Sequence, residues 1–438
     1  MNAMTSYSRR QFLQRGCGWL AASVVLPQVL PSGVLGAGGG PGANERIGIG
    51  IIGMGRQAGD LLRILQGQAT ARLLAVADVN LNRARDVAGK RQAEAYQDYR
   101  RLLERKDVDA IITATPEQWR AIICIEACQA GKDIYAEKPM SLTIHEGRQI
   151  VKAVRKYGRV LQTGSQQRSM LHNHIGCEFI RRGGLGKVHR VVASNYPSPW
   201  ECALPAEKVP DGLDWDMWCG PTEPVPYNKD LYLPRANPGW LSFRPYSGGE
   251  MTGWGSHGFD QVQWALGMDA TGPLEIWVEG PKFDPPTYAV SEPKTRGDKI
   301  CSQPKVFFRY PGGTVMELGD GPPGGAIFFG EKGKVTIDRG VCESEPDALI
   351  DEAIKQGPRS LKQNHIQNWL DCIKTRATPV ADVEIGHRSA TICHLGNLAR
   401  RLGRKLRWDP GQEVFIGDKE ANQYLDRKRR KPWALPRV

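Results

Sequence analysis

The chain has 438 residues, 40% hydrophobic and 24% charged, which is enough to bury two or three domain cores, and it reads as globular. Its formal charge is +12, but Arg9, Arg10 and Arg15 lie near one end and a basic run over residues 427–431 lies near the other. The basic residues are not interleaved with aromatics at groove spacing, which argues for a solvated basic surface and against nucleic acid as a partner.

In chain order, Ser8-Arg9-Arg10-Gln11-Phe12-Leu13 leads into an apolar stretch over residues 16–30, then Pro31 and the small residues Gly36-Ala37-Gly38. That order predicts a twin-arginine export signal and a Gly-rich linker over residues 1–43, and hence a periplasmic or otherwise exported protein. The apolar stretch is too short and interrupted for a membrane span, so none is expected after signal cleavage. Ten cysteines fall to nine without Cys17, scattered from Cys124 to Cys393 without zinc-site spacing. Most read as buried small hydrophobes; one or two disulfides stay open in an oxidising compartment.

Residues 44–163 alternate strand and helix: strands at 47–52, 72–77, 109–113, 133–135 and 159–162, with helices from 56, from 81, through 122–128 and over 143–157. The alternation predicts an α/β doubly wound parallel sheet of the Rossmann kind. From 164 to 410 the pattern changes to alternating strands at 188–194, 274–279, 305–310, 314–318 and 334–337, predicting an open, largely antiparallel or mixed sheet in a second α/β domain. A Pro/Trp-rich excursion over 196–245 is either a substrate-side loop system or a structural wrap. Late helices near 365–374 and 386–402 pack back on the body, and residues 411–438 form a basic tail.

Gly53, Gly55 and Ala58 occupy the three positions of a G-x-G-x-x-[G/A] turn directly after the first strand and before a helix. Such a turn lets the backbone approach a pyrophosphate seated on the helix N-terminus. Asp78 ends the second strand, where a carboxylate accepts from ribose hydroxyls and repels a 2′-phosphate, favouring NAD over NADP; Arg83 or Arg85 folding over could bind a phosphate and tempers that preference. Asp78 is also placed to cap the helix beginning near Leu81. Glu137-Lys138-Pro139 puts an ammonium at the end of a later parallel strand, and the two motifs in this order indicate a nicotinamide-binding enzyme.

With Ala114-Thr115-Pro116, Gln162-Thr-Gly-Ser-Gln-Gln-Arg168, Asp214-Trp-Asp-Met-Trp218, Ser247-Gly-Gly249, His257, Asp260 and Trp408-Asp409-Pro410, the chain resembles the Gfo/Idh/MocA family, in particular its exported branch. The resemblance implies a Rossmann domain followed by an α/β domain whose open sheet walls the substrate cleft and supports a homo-oligomer, a dimer or tetramer. It implies cofactor contacts at Gly53, Met54, Gly55, Arg56 and Asp78 on the first half of the sheet, and at Thr115, Pro116, Trp119, Glu137 and Lys138 on the second. Lys138 and His257 correspond to the family's catalytic pair, the ammonium beside the reacting hydroxyl and the histidine as acid/base.

The sequence departs from that pattern where relatives carry Asp four residues before the histidine: here it is Gly253, with Glu250, Asp260 or an excursion residue as substitutes. Arg120 stands where the exported branch often has His. Gln166, Arg168, Trp254, His257 and Asp260 are the expected substrate contacts, while Trp200, Trp218 and Tyr227 suit either sugar stacking or a core. His172 and His174 lack an acidic cluster, so no metal is expected. The expected activity is an exported, NAD(H)-dependent oxidation of a secondary hydroxyl of a sugar, cyclitol or glycoside, with tightly held cofactor. The alternatives are a redox-neutral glycosidase or epimerase using a transient keto intermediate, and a non-catalytic saccharide-binding protein.

Overall fold

A computed structural model describes residues 46–235, 239–285, 287–290, 303–357 and 364–438; the segment read from the sequence as an export signal, Cys17 and Cys301 lie outside them. The first sheet has six strands, β1 (Ile47–Ile52), β2 (Ala71–Ala77), β3 (Glu94–Tyr96), β4 (Ala110–Thr113), β5 (Asp133–Ala136) and β6 (Leu161–Thr163), all parallel in the order β3-β2-β1-β4-β5-β6. Between them run α1 (Arg56–Gln66), α2 (Leu81–Gly89), α3 (Tyr99–Leu103), α4 (Glu117–Gln129) and α5 (Ile144–Lys156). Every residue of β1, β4 and β5 is buried, because helices cover both faces. The order reverses between β1 and β4, and at such a reversal an open α/β sheet forms its ligand crevice beyond the carboxyl ends. The cap of α2 is Asn80, whose side chain accepts from the Arg83 amide, so Asp78 is released from the capping role proposed for it.

The second sheet has nine strands in the order β13-β12-β11-β7-β10-β9-β8-β14-β15. In sequence they are β7 (Val188–Ser194), β8 (Glu275–Glu279), β9 (Lys305–Arg309), β10 (Val315–Gly319), β11 (Ala326–Gly330), β12 (Gly333–Asp338), β13 (Val341–Glu345), β14 (Leu406–Asp409) and β15 (Val414–Phe415). All pairs are antiparallel except β7 with β10. Alternate residues such as Val306, Phe308, Met316, Leu318, Val335 and Ile337 are fully buried, and the core they enter is shared with α6 (Leu171–Arg181), α10 (Gly255–Ala265) and α13 (Val383–Leu402). The other helices are α7 (Trp215–Cys219), α8 (Lys229–Tyr232), α9 (Glu250–Gly253), α11 (Ala348–Gln356), α12 (His365–Thr375) and α14 (Lys419–Asn422).

His172 and His174 lie on helix α6. Its buried residues Asn173, Gly176, Cys177 and Ile180 recur at helical spacing, which outweighs the two-residue alternation of the histidines. His174 packs edge-on against Trp264 and belongs to no metal cluster; among the described residues no group of three His, Cys, Asp or Glu is placed to hold an ion. The eight described cysteines are all free thiols. No described helix is long and apolar enough to cross a membrane.

Residues 47–438 form one unit, and charge pairs knit its halves. Arg148 of α5 reaches Glu384 of α13 at 2.7 Å and Glu413 at 2.7 Å, and the Thr163 amide at the end of β6 donates to Ala381 just before α13. The basic tail is not free. Arg427 and Arg429 donate to the fully buried Glu146 at 2.8 and 2.9 Å, Arg430 donates to the Gly220 carbonyl at 2.7 Å, and Trp433 packs edge-on against Trp119 at 4.8 Å. Removing the anion from such a buried cluster leaves the Arg427 guanidinium without a counter-charge and Arg429 with Asp426 alone. We therefore expect Glu146→Ala to lower unfolding stability by about 3 kcal/mol in urea titrations and to make the last dozen residues sensitive to trypsin.

Candidate active site

At the carboxyl end of β1 the chain turns through Gly53, whose φ of +83° favours glycine and whose added Cβ would meet Thr115 Cγ2 at 2.9 Å. Gly55 is the N-cap of α1, with no side-chain cap, no acidic residue in the first turn and no atom within 4 Å of an added Cβ. The first amides of α1 thus lack side-chain partners, and open space lies beside the turn. Asp78, only 5% exposed, accepts from the Met54 amide at 2.7 Å and the Asn80 amide at 2.8 Å, and its second partner group is the Arg83 guanidinium at 3.1 Å. Arg83 also donates to the Tyr232 hydroxyl. Met54 itself is buried in the core, so its amide, not its side chain, belongs to the site.

These groups open onto a cavity of about 240 Å³. Gly53, Gly55, Arg56, Asp78, Thr115, Pro116 and Trp119 line one side. Trp218, Tyr232 and Trp240 from the excursion line the other. The excursion is therefore both a wrap and a wall, with a core of its own around Trp200, Leu231, Phe243 and Tyr246. Trp200 and Tyr227 are buried, while Trp218 reaches the cavity. The Trp119 indole donates to the Met217 carbonyl at 2.9 Å, tying α4 to α7. A glycine turn without steric cover, unpartnered helix-terminal amides and a buried carboxylate on the facing strand are the donor set a dinucleotide requires, and the residues fit NAD.

Beyond β5, Glu137 is buried and accepts from Gln57 at 3.1 Å, from Gln166 at 2.9 Å and from the Lys138 amide at 3.2 Å. Burial, outweighing the adjacent Lys138 and Arg120, raises its pKa. The Lys138 ammonium donates to the Gly253 carbonyl at 2.9 Å, crossing from the first sheet to α9 of the second domain. Desolvation lowers its pKa, opposed by Glu137. His257, in the first turn of α10, is 5% exposed, and its Nδ1 has no partner among the described residues. Burial, then the positive charges of Lys138, Arg339 and Arg235, hold it well below its ordinary pKa, so the ring is neutral. Trp254 packs edge-on against it at 5.8 Å and stays half-buried.

The gap at Gly253 is filled by a neighbour. A Cβ added there would meet Glu250 Oε2 at 2.7 Å, with Arg235 Nη2 3.5 Å away, and Arg235 pairs with Glu250 at 2.8 Å. Of the carboxylates considered from the sequence, Glu250 lies in this space, held by Arg235, whereas Asp260 is engaged elsewhere. Asp260 is fully buried, receives Arg168 at 2.9 Å and the Ser389 hydroxyl at 2.7 Å, while Arg168 also binds Asp269 at 2.6 Å. The substrate contacts expected of Arg168 and Asp260 are corrected accordingly: every charged face is spent on an internal pair, because an isolated ion at that depth would be too costly. Arg120 is likewise internal, donating to the carbonyls of Thr115 (2.6 Å) and Pro139 and so pinning both cofactor-side turns.

Sequence reasoning missed Glu117. It is fully buried at the start of α4 and accepts from the Ser247 hydroxyl at 2.6 Å, the Gly248 amide at 3.1 Å and the Thr252 hydroxyl at 3.2 Å, holding α9 against the Thr115-Pro116 loop. Arg235 and Tyr232 were also missed, since both lie in the irregular excursion. A Glu directly after Thr-Pro was the available signal, but it reads as an ordinary first-turn acid.

With this geometry in place, two family models match: the "NAD-binding Rossmann fold" of the Gfo/Idh/MocA oxidoreductases over residues 47–165, and their "C-terminal alpha/beta domain" over residues 187–435. The chain belongs to the Gfo/Idh/MocA oxidoreductase family. Curated relatives include the inositol 2-dehydrogenase of Rubrobacter xylanophilus, 33% identical over 147 residues covering 33% of this chain and 42% of that protein. The myo-inositol 2-dehydrogenase of Thermotoga maritima is 29% identical over 171 residues, 39% of this chain and 51% of that one. The match thus spans about half the length of these relatives. Among solved structures, the aldose-aldose oxidoreductase of Caulobacter crescentus superposes with a TM-score of 0.56 at 18% identity, covering 83% of this chain and 99% of that one. The WlbA dehydrogenase of Bordetella pertussis, in complex with NADH and UDP-GlcNAcA, gives 0.58 at 18% identity, with 83% and 99% covered. Both show the shared fold.

Burial raises the Glu117 pKa from 4.5 to about 7 despite its hydrogen bonds. The unfolded carboxyl ionises near 4.5 while the folded one stays protonated to about 7, so this group lowers stability as pH rises through that window and costs about 3 kcal/mol above it. Glu117→Gln, which cannot ionise, is expected to remove that segment of the pH dependence: its stability difference from wild type, measured by urea unfolding at pH 5 and pH 8, should shift in the variant's favour at pH 8.

Proposed function

We propose that this chain is an exported NAD(H)-dependent oxidoreductase acting on a secondary hydroxyl of a sugar, cyclitol or glycoside, with the cofactor retained through the catalytic cycle. The observation that carries the reading is the approach of Lys138 to α9 beside a buried, neutral His257 whose Nδ1 has no partner among the described residues. When bound, the nicotinamide ring supplies the hydride acceptor. The glycine turn and the amides of α1 would hold the pyrophosphate, and Asp78 would accept from the ribose hydroxyls. The His257 ring accepts the hydroxyl proton, and the Lys138 ammonium offsets negative charge growing on the same oxygen. Trp254 and Gln166 flank these groups and orient the ring of the substrate.

The substrate class rests on the inositol dehydrogenases among the relatives and on the aldose-aldose oxidoreductase among the structural neighbours. Export rests on the Arg9-Arg10 leader, and retention of the cofactor follows from export, since free NAD is scarce outside the cytoplasm. A homo-oligomer fits the open face of the nine-stranded sheet, where Trp277 stacks on Phe307 at 5.3 Å, both partly exposed.

A second reading, redox-neutral chemistry through a transient keto intermediate, is favoured by the Glu250–Arg235 pair standing where relatives place an aspartate. One curated relative is named a 2,7-anhydro-N-acetylneuraminate hydratase, in Mediterraneibacter gnavus. Product analysis separates the two: a keto product with NADH formed supports oxidation, whereas cleaved or epimerised glycoside without net NADH supports the second.

Protein purified from the exported fraction should release nicotinamide on denaturation, detected by absorbance after dialysis; none released would remove the retained-cofactor reading. Lys138→Ala should keep NADH binding, followed by fluorescence, while turnover falls by about 100-fold or more. Unchanged turnover would remove Lys138 from the chemistry.

A further inference from the structure

A second cavity, of about 560 Å³, lies away from the dinucleotide crevice. Its walls come from the segment after Lys138-Pro139 (Leu142, Ile144), the excursion (Pro199, Arg244, Pro245), helix α13 (Asn397, Leu398, Arg401) and the C-terminal region (Tyr424, Asp426, Arg427, Lys428). Four cationic side chains and one carboxylate therefore line it.

The pairing of these charges is uneven. Arg427 is neutralised by Glu146 at 2.8 Å, and Asp426 is taken by Arg429 at 2.6 Å, with His145 4.0 Å away. Arg244 has only Glu201 at 3.8 Å, beyond hydrogen-bond reach, and the Pro199 carbonyl at 3.5 Å. The Arg401 guanidinium lies over Tyr424, 4.2 Å from the ring centroid, and among the described residues neither it nor Lys428 is in a salt bridge. Arg244 and Arg401 line the same cavity, and burial with the like charge of Arg401 lowers the Arg244 pKa. Ser198 and Asn397 answer each other at 2.6 Å, and the Asn397 amide donates to the Gly248 carbonyl at 2.8 Å, so the polar floor is already satisfied.

Two guanidiniums of like charge converging on a roomy pocket with apolar walls store a repulsion that an anion relieves, and the planar fork of Arg pairs with oxyanions. We propose that this cavity is a binding site for a small organic oxyanion, a carboxylate or sulfate carried on a body with an apolar face, gripped between Arg244 and Arg401. The occupant lies against Leu142 and Leu398 and beside the Ser247–Gly249 turn that Glu117 holds from the other side. The site is separate from the nicotinamide crevice and does not depend on the reaction assigned to it.

The test is calorimetric titration of the full exported protein with sodium glucuronate and with sodium sulfate at constant ionic strength, using glucose as the uncharged control. Saturable binding of either anion without binding of glucose is expected. Glucuronate binding more tightly than sulfate identifies the organic body as part of recognition; sulfate binding equally well reduces the ligand to the oxyanion alone. Arg401→Gln, at an exposed position, should weaken binding at least tenfold while NADH binding stays unchanged, and Arg244→Gln should do the same. Ligand should also raise the Tm of wild type and not of Arg401→Gln. No saturable binding in wild type, or equal affinity in Arg401→Gln, overturns the proposal.

Discussion

One hydrogen bond joins the two halves of the site: the Lys138 ammonium on the Gly253 carbonyl, 2.9 Å away. It forms only if the carboxyl edge of the parallel sheet and the short helix α9 of the second domain are held in register. The register is built from buried polar contacts. Arg120 fixes the turns after β4 and β5 from inside, Glu117 draws the Ser247–Gly249 turn and Thr252 onto α4, and Arg148 binds acids at the start of α13 and in the loop after β14. Each contact places a charge or a donor where water cannot replace it, so misalignment by a fraction of an ångström leaves a desolvated group unpaired.

The cost of this arrangement is concentrated in carboxylates. Glu117 and Glu137 are both buried with raised pKa values, and neither is in direct ion-pair contact with a cation among the described residues. Such groups destabilise the folded state at neutral pH, and their position on either side of the Thr115-Pro116 loop ties that instability to the cofactor crevice. Arg168 with Asp260 and Asp269 is the opposite case, a buried cluster in which each charge is answered and whose work is to fix α10, and with it His257, against the segment following β6.

Curated relatives such as the inositol dehydrogenases match over 123–171 residues, whereas the two solved structures superpose on 83% of the chain at 18% identity. The glycine turn, Asp78 and Glu137-Lys138 must meet one invariant cofactor. The excursion over residues 196–245 meets the cavity through Trp218, Tyr232 and Trp240, while its aromatic core around Trp200 and Phe243 closes on itself.

The sequence by itself determined the parallel sheet, the glycine turn, Asp78, Lys138 and the change to an open mixed sheet, because each is local: uninterrupted apolar strands, a backbone conformation open to glycine, and residues at strand ends whose position follows from the alternation of elements. It also showed that a carboxylate was missing at position 253. Only the tertiary structure decided what replaces it, that Arg168 and Asp260 are spent on each other, that Glu117 braces α9, and that the basic C-terminal run is bound to Glu146. Those outcomes depend on contacts between residues up to some 280 positions apart, where charge alone names many partners and packing selects one.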